Sequence, residues 1–166
     1  MRVNSEYCIL AGGCFWCIAM PFYDVKGVSK VVSGYAGGKE INPTYEDVKA
    51  QKTGHREVIK IEYEDEIVSF EELLDIYFSM IDPFDDGGQF IDRGNSYTTA
   101  IFYKNEEMKK ISLAKIKEIE NLSHRQVKVE LIKETNFFDA EDYHQEYGLK
   151  NPEKIEKELI DSGRKK

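Results

Sequence analysis

The sequence predicts an α+β fold, a two-layer sandwich in which helices cover a mixed, largely antiparallel sheet with long functional loops. Two observations carry this prediction. Short apolar or alternating segments typical of strands recur along the chain, and amphipathic segments typical of helices lie between them. The predicted order is β-α-β-β-α-β-α-β, which mixes helical and direct connections between strands and therefore favours α+β.

The first predicted elements are two strands separated by a helical segment. Residues 6–11 (EYCILA) form an apolar run that fits a buried strand, and two glycines end it. Residues 14–23 (CFWCIAMPFY) favour a helix that Pro21 kinks or ends. Residues 28–33 (VSKVVS) are rich in β-branched side chains and predict the next strand.

A long loop, a strand and a well-defined helix start follow. Residues 34–55 contain GYAGG, NPTY and TGH, which predict a long functional loop. Residues 57–64 (EVIKIEYE) alternate and predict a half-buried strand. Ser69 then begins a helix, because Glu72 three positions later completes a capping box.

The rest of the chain continues this mixture of elements. Its segments predict a glycine-rich loop at 82–96, a strand at 97–103, a helix at 105–120, a strand at 127–132 and two short helices at 139–147 and 152–161. A length of 166 residues favours one domain over residues 1–166. We expect its tail, residues 150–166, to be helical and peripheral.

Composition excludes several classes of protein. Hydrophobic residues make up 41% and aromatic residues 12% of the chain, which is typical of a folded protein. With 23 basic and 31 acidic residues the net charge is −8, which disfavours nucleic acid and anionic membranes as partners. The first residues lack the apolar core of a signal peptide, so we expect a cytoplasmic protein. Closely spaced cysteines in that compartment are more often catalytic or metal-binding than structural.

The segment AGGCFWCIAM, residues 11–20, is the main candidate for chemistry. Cys14 follows a strand and a Gly-Gly turn, which places it at a helix N-terminus where the dipole favours a thiolate. It is therefore a candidate nucleophile. Cys17 lies one helical turn further on the same face, in position to attack an oxidised Cys14. The structural alternative is that both cysteines are small buried hydrophobes.

Two other functions fit a C-x-x-C pair. A zinc site needs further ligands, and the candidates are Cys8, His55, His124 and His144. Because no second C-x-x-C or His pair at ligand spacing is present, we predict no metal. A general dithiol-disulfide oxidoreductase also uses this motif. The bulky Phe15-Trp16 between the cysteines favours a substrate pocket instead.

Four polar loop residues are ambiguous when they are considered alone. Asp92 fits a surface charge, and Glu57 fits a solvent-facing position at a strand start. Tyr45 and Tyr97 fit aromatic residues that pack on the sheet.

Taken together, six motifs closely resemble one family, the A-type peptide methionine sulfoxide reductases. They are GGCFWC at 12–17, GYAGG at 34–38, NPTYEDV at 42–48, TGHREV at 53–58, GGQFIDRG at 87–94 and AEDYHQEY at 140–147. The resemblance covers residue 7 to about residue 152, and its specificity comes from the order and spacing of all six motifs.

The resemblance implies an enzyme that reduces the S-epimer of methionine sulfoxide, free or in proteins, without a cofactor. It implies that Cys14 is the nucleophile and becomes a sulfenic acid, and that Glu57 supplies a proton to the sulfoxide oxygen. Its implied substrate-binding residues are Phe15 and Trp16 for the S-methyl group, Tyr45 and Tyr97 for the oxygen, and Asp92. Thioredoxin or a similar thiol reductant is the implied partner.

The chain departs from the family pattern in its tail. Many members carry a resolving cysteine in a glycine-rich tail, whereas NPEKIEKELIDSGRKK contains none. Resolution of an oxidised Cys14 must then use Cys17, Cys8 or an external thiol. We favour Cys17 because it lies one helical turn away, and we expect Cys8 to be a core residue.

Overall fold

A six-stranded sheet forms the centre of the computed structural model, which describes residues 5–164. The strands are β1 (Ser5–Gly12), β2 (Val28–Ala36), β3 (Arg56–Glu64), β4 (Gly88–Gln89), β5 (Asp92–Arg93), β6 (Thr99–Tyr103), β7 (Glu130–Lys133) and β8 (Phe138–Asp139). The main sheet has the order β7-β6-β1-β3-β2-β8, and β4 pairs with β5 in a separate hairpin. All neighbours in the main sheet are antiparallel except β6 and β7, which are parallel. The prediction of a mixed, largely antiparallel sheet is confirmed.

Helices connect and cover these strands. They are α1 (Phe15–Ala19), α2 (Tyr45–Lys49), α3 (Phe70–Met80), α4 (Glu106–Ser123), α5 (Tyr147–Lys150) and α6 (Pro152–Asp161). Helix α4 forms the crossover that a parallel pair such as β6 and β7 requires. The capping box predicted at Ser69 is present, because its side chain accepts from the amide of Glu72 and the Glu72 side chain accepts from the amide of Ser69.

Several predicted elements and boundaries are wrong. The loops predicted over 34–55 and 82–96 contain helix α2 and the β4-β5 hairpin. Strand β2 continues through Ala36, beyond the predicted loop start, because β3 pairs with it as far as Arg56. Tyr97 ends a short 3-10 helix, and the strand predicted to start there begins at Thr99. The helix predicted over 139–147 is replaced by β8, a 3-10 turn and the start of α5.

Tertiary hydrogen bonds explain the failed helix. The side chain of Gln145 accepts from the amide of Ser33 at 2.9 Å and donates to the carbonyls of Ser33 and Ala140 at 2.8 and 2.9 Å. This segment is therefore held against the edge of β2 instead of forming its own helical turns.

Alternation along the strands separates two apolar layers. Cys8 and Leu10 of β1 point into the large core shared with α1 and α3, whereas Ile9 and Ala11 point to the opposite face. The two-layer arrangement of sheet and helices follows from this division. On β3, Ile59 also belongs to the helix-covered core.

The tail packs against the segment that contains the cysteine pair. Ile155 and Leu159, one helical turn apart on α6, form a buried cluster with Cys14 and Cys17. The sequence predicted a peripheral tail over residues 150–166, because a charged helix without cysteines gives no sign of a contact with α1. Its last two residues lie outside the described part of the chain.

We expect Ser69→Ala to lower the free energy of unfolding by about 1 kcal/mol, because it removes the capping box of α3. Urea unfolding measures this loss. Ser79→Ala, on the same helix, is the matched control, since Ser79 is exposed and bonds only to the carbonyl of Ile76. Equal losses in the two variants would contradict the role of the cap.

Candidate active site

A sharp turn after β1 delivers Cys14 to the start of α1. Gly13 has a φ of +85°, and a Cβ at this position would lie 2.6 Å from Nη2 of Arg164. A side chain would therefore be strained and would collide with the arginine. Cys14 is the N-cap residue of α1, and its carbonyl accepts from the amide of Ile18 at 3.1 Å.

The two cysteines of the motif form a buried pair of free thiols. Cys14 is 7% exposed and Cys17 is 0% exposed. Their sulfur atoms and a carboxylate oxygen of Glu158 all lie within 4.8 Å of one another. Cys8 is also buried, but it belongs to the large core under β1 and not to this cluster.

The pKa of Cys14 is shifted in the direction opposite to the one expected at a helix N-terminus. A hydrogen bond with the Cys17 thiol, followed by burial, raises the pKa of Cys14 well above its usual range. Helix α1 has only five residues, so its dipole is small. Cys14 is thus a neutral thiol in the free protein, and its deprotonation must be part of the reaction cycle.

Glu57 lies beside this pair on the helix-covered face of β3. Alternation places it on the same face as Ile59, and it is 1% exposed, so the solvent-facing position expected from sequence is wrong. One carboxylate oxygen accepts from the amide of Phe15 at 3.2 Å, and the other is buried without a hydrogen-bond partner among the described residues. Burial is the main reason why the pKa of Glu57 lies well above its usual range. The group is therefore a carboxylic acid with a proton to donate.

Aromatic rings form one wall of the site. Phe15 and Trp16 each stack on Tyr45 with ring centroids 6.1 Å apart. Trp16 also stacks on Tyr147 at 4.0 Å, and its indole N–H donates to Nδ1 of His144 at 3.0 Å. These contacts hold the partly exposed indole in one orientation and create an apolar surface beside Cys14.

His144 is a neutral acceptor in this wall. Burial lowers its pKa below the usual value, and its Nδ1 accepts from the indole, which can only donate. The ring proton is therefore on Nε2, an atom that is buried without a hydrogen-bond partner in the described part of the chain.

Glu141 fixes the backbone that presents Tyr45. Its carboxylate accepts from the hydroxyl of Tyr35 at 2.8 Å and from the amide of Tyr45 at 3.0 Å. Residues from β2, α2 and the segment after β8 are thereby tied together next to the sheet end that carries Glu57.

Asp92 and Tyr97 enter from the β4-β5 hairpin and the turn that follows it. Burial is the main reason why the pKa of both side chains is raised. Tyr97 is 8% exposed and remains a neutral hydroxyl donor. The structure thus brings all eight residues singled out from the sequence to one site around Cys14.

Sequence reasoning assigned no role in this site to Glu141, His144, Tyr147, Glu158 and Arg164, although it considered His144 as a zinc ligand. The first three lie in the AEDYHQEY motif, which marked the segment without assigning roles. Glu158 and Arg164 lie in a charged tail that carries no motif. Arg164 donates to the carbonyls of Gly12 at 2.6 Å and Met80 at 2.7 Å.

The cysteine pair and Glu158 are the one group of three or more close metal-binding side chains among residues 5–164. A closed structural zinc site has four ligands, and this group supplies three. The same residues fit thiol chemistry without a metal.

In the described chain, no helix is both long and apolar enough to cross a bilayer.

The fold and the site together place a buried cysteine pair beside a neutral carboxylic acid and an aromatic wall, an arrangement typical of a thiol-dependent enzyme. The profile of the peptide methionine sulfoxide reductase family matches residues 6–166. The chain therefore belongs to this family.

Curated relatives and solved structures agree with this assignment. The chain is 43% identical over 166 residues to the peptide methionine sulfoxide reductase MsrA of Bacillus velezensis, covering 99% of this chain and 94% of that protein. It is 47% identical over 165 residues to MsrA 2 of Staphylococcus aureus, covering 98% and 93%. Reduced Mxr1 from Saccharomyces cerevisiae superposes with a TM-score of 0.82 at 28% identity, covering 90% and 87% of the two chains. Methionine sulfoxide reductase A of Corynebacterium diphtheriae gives 0.80 at 26% identity, covering 91% and 77%.

We expect Glu57→Gln to become more stable relative to the wild type as the pH rises above about 4.3, the usual glutamate pKa. The folded pKa of Glu57 is raised, so the native wild type retains a proton that the unfolded chain releases. The wild type therefore loses stability as the pH rises toward that folded pKa, and glutamine does not titrate.

Urea unfolding at a series of pH values measures the difference between the two proteins. Glu153→Gln is the reference for removal of an exposed carboxyl group. A difference between Glu57→Gln and wild type that is constant with pH would mean that Glu57 is ionised in the folded protein.

Proposed function

We propose that this protein reduces the S-epimer of methionine sulfoxide, free and in oxidised proteins, to methionine. One observation carries the proposal: the buried acid Glu57, next to Cys14 and the Phe15-Trp16 wall, has one oxygen without a hydrogen-bond partner in the described part of the chain. A sulfoxide needs a proton at oxygen and a nucleophile at sulfur, and this arrangement supplies both.

In the first step, the sulfur of Cys14 attacks the sulfoxide sulfur while Glu57 donates its proton to the oxygen. The oxygen ends on Cys14 as a sulfenic acid, and the substrate leaves as methionine. The substrate sulfur is reduced and Cys14 is oxidised. The proton that Cys14 loses restores Glu57, so the step is balanced without an added proton.

The other predicted residues orient the substrate. Phe15 and Trp16 pack against its S-methyl group, and the hydroxyls of Tyr45 and Tyr97 donate to its oxygen. Burial is the main reason why the pKa of each tyrosine is raised, so both remain neutral donors. Asp92 lies at the edge of the site and helps to shape it.

Cys17 resolves the oxidised enzyme in this proposal. Its thiol displaces the sulfenic oxygen as water and forms a disulfide with Cys14. Reduction by thioredoxin then restores both thiols. The position of Cys17 in the same cluster as Cys14 supports this order, and yeast Mxr1, which shares the fold, has been solved in complex with Trx2.

The cytoplasm is the proposed compartment, because free thiols persist there and its thioredoxin pool supplies electrons. A general dithiol-disulfide oxidoreductase is not favoured by the family assignment. It would also leave Glu57 and the aromatic wall without a role.

We expect Cys14→Ser to form no methionine, because a serine hydroxyl does not take up the sulfoxide oxygen. Racemic methionine sulfoxide is incubated with dithiothreitol, and both epimers are followed by chiral chromatography. The wild type should consume the S-epimer alone. Methionine formation by folded Cys14→Ser would contradict the assigned nucleophile.

We expect Cys17→Ser to release methionine in a single burst and then to stop when thioredoxin is the reductant, because no disulfide forms. The control is Cys8→Ala, which should keep thioredoxin-dependent turnover since Cys8 lies in a separate core. Sustained turnover of Cys17→Ser with thioredoxin would assign resolution to Cys8 or an external thiol.

A further inference from the structure

The second chemical step poses a proton-transfer problem that the family motifs do not address. To attack a sulfenic acid, Cys17 must lose its thiol proton, yet its side chain is 0% exposed. Ile155 and Leu159 of α6 pack over the pair and exclude bulk water from it. A protein group close to both sulfur atoms is therefore needed to carry the proton.

Glu158 is the carboxylate that satisfies this condition. One of its oxygens and both sulfur atoms lie within 4.8 Å of one another, and no other carboxylate in the described chain joins that group. Glu57 does not substitute for it, because the first step leaves Glu57 protonated again. The separation is that of a direct contact after a small side-chain movement or of a bridge through one water.

Glu158 also has a route to solvent. It is partly buried and lines a surface groove together with Trp16, Tyr147, Lys154, Lys157 and Asp161. Glu158 therefore connects the buried pair to solvent. This connection is what the buried thiols themselves lack.

Several titratable groups surround Glu158. They are Cys14 and Cys17 from the α1 segment, Lys49 on α2, Asp92 on β5, Lys154, Lys157 and Asp161 on α6, and Arg164 after it. Burial and the charges of Asp92 and Asp161 raise the pKa of Glu158, and Arg164 and Lys49 lower it. A raised pKa brings a carboxylate closer to the basicity that thiol deprotonation requires.

We propose that Glu158 is the general base of the resolving step, a role that rests on the proposed function. Its carboxylate takes the thiol proton of Cys17 as the Cys17 sulfur attacks the sulfur of oxidised Cys14. The S–S bond forms, the S–O bond breaks, and the departing hydroxide takes this proton back from Glu158 and leaves as water. Cys17 is oxidised, Cys14 is reduced from sulfenic acid to disulfide, and the carboxylate is restored.

The test separates the two chemical steps in a single turnover without reductant. Reduced enzyme is mixed with methionine sulfoxide, and released methionine is measured by chromatography. Disulfide formation is measured in the same samples by alkylation and peptide mass spectrometry. In Glu158→Gln, we expect the ratio of the disulfide rate to the methionine rate to fall about 100-fold.

Glu153→Gln is the matched control, since it removes an exposed carboxylate from the same helix and should keep the wild-type ratio. The pH profile supplies a second measurement. In the wild type, disulfide formation should speed up with pH and level off once Glu158 is ionised. In Glu158→Gln it should keep rising with pH, because hydroxide must then remove the thiol proton of Cys17. A merely structural effect would lower the rate and leave the levelling-off in place.

Each outcome decides one proposal. An unchanged ratio in Glu158→Gln, or a lowered ratio with the levelling-off retained, would overturn the role of Glu158. A wild-type enzyme that releases no methionine would instead overturn the proposed function. Methionine release without a Cys14–Cys17 disulfide would overturn both the resolving role of Cys17 and its base.

Discussion

Desolvation of the Glu57 carboxyl group is the interaction on which the rest of the site depends. Strand β3 presents this residue on the helix-covered face, where α1 closes over it and the amide of Phe15 occupies one oxygen. Water is excluded, so the pKa rises and the acid keeps its proton. The hydrogen bond with Cys17, together with the same burial, keeps Cys14 a neutral thiol, so acid and nucleophile start the cycle without charges that would have to be desolvated.

The site has two sides that serve different steps. On one side, Glu57, Tyr97 and the aromatic wall face the position of the sulfoxide in the proposed reaction. On the other side, α6 covers the thiols and contributes Glu158. Trp16 joins the two sides, because it belongs to the aromatic wall and also lines the groove beside α6.

Predictions from the sequence were correct where the structure depends on residues close in the chain and wrong where it depends on distant ones. The capping box at Ser69 and the strand over 57–64 depend on neighbours in the chain, and both were predicted correctly. The helix predicted over 139–147 was wrong, because Gln145 bonds to Ser33, more than a hundred positions away. The burial of Glu57 was missed for a related reason, since the strand pattern does not state which face the helices cover.

The sequence by itself determined the strand periods, the cysteine pair after a glycine turn and the six motifs that identify the family. These features are local or are matched by residue type and spacing. Only the tertiary structure decided the protonation of Cys14 and Glu57, the orientation of Trp16 by His144, and the position of Glu158 beside the thiols. These properties depend on desolvation and on contacts between segments distant in the chain, and a linear pattern of residues records neither.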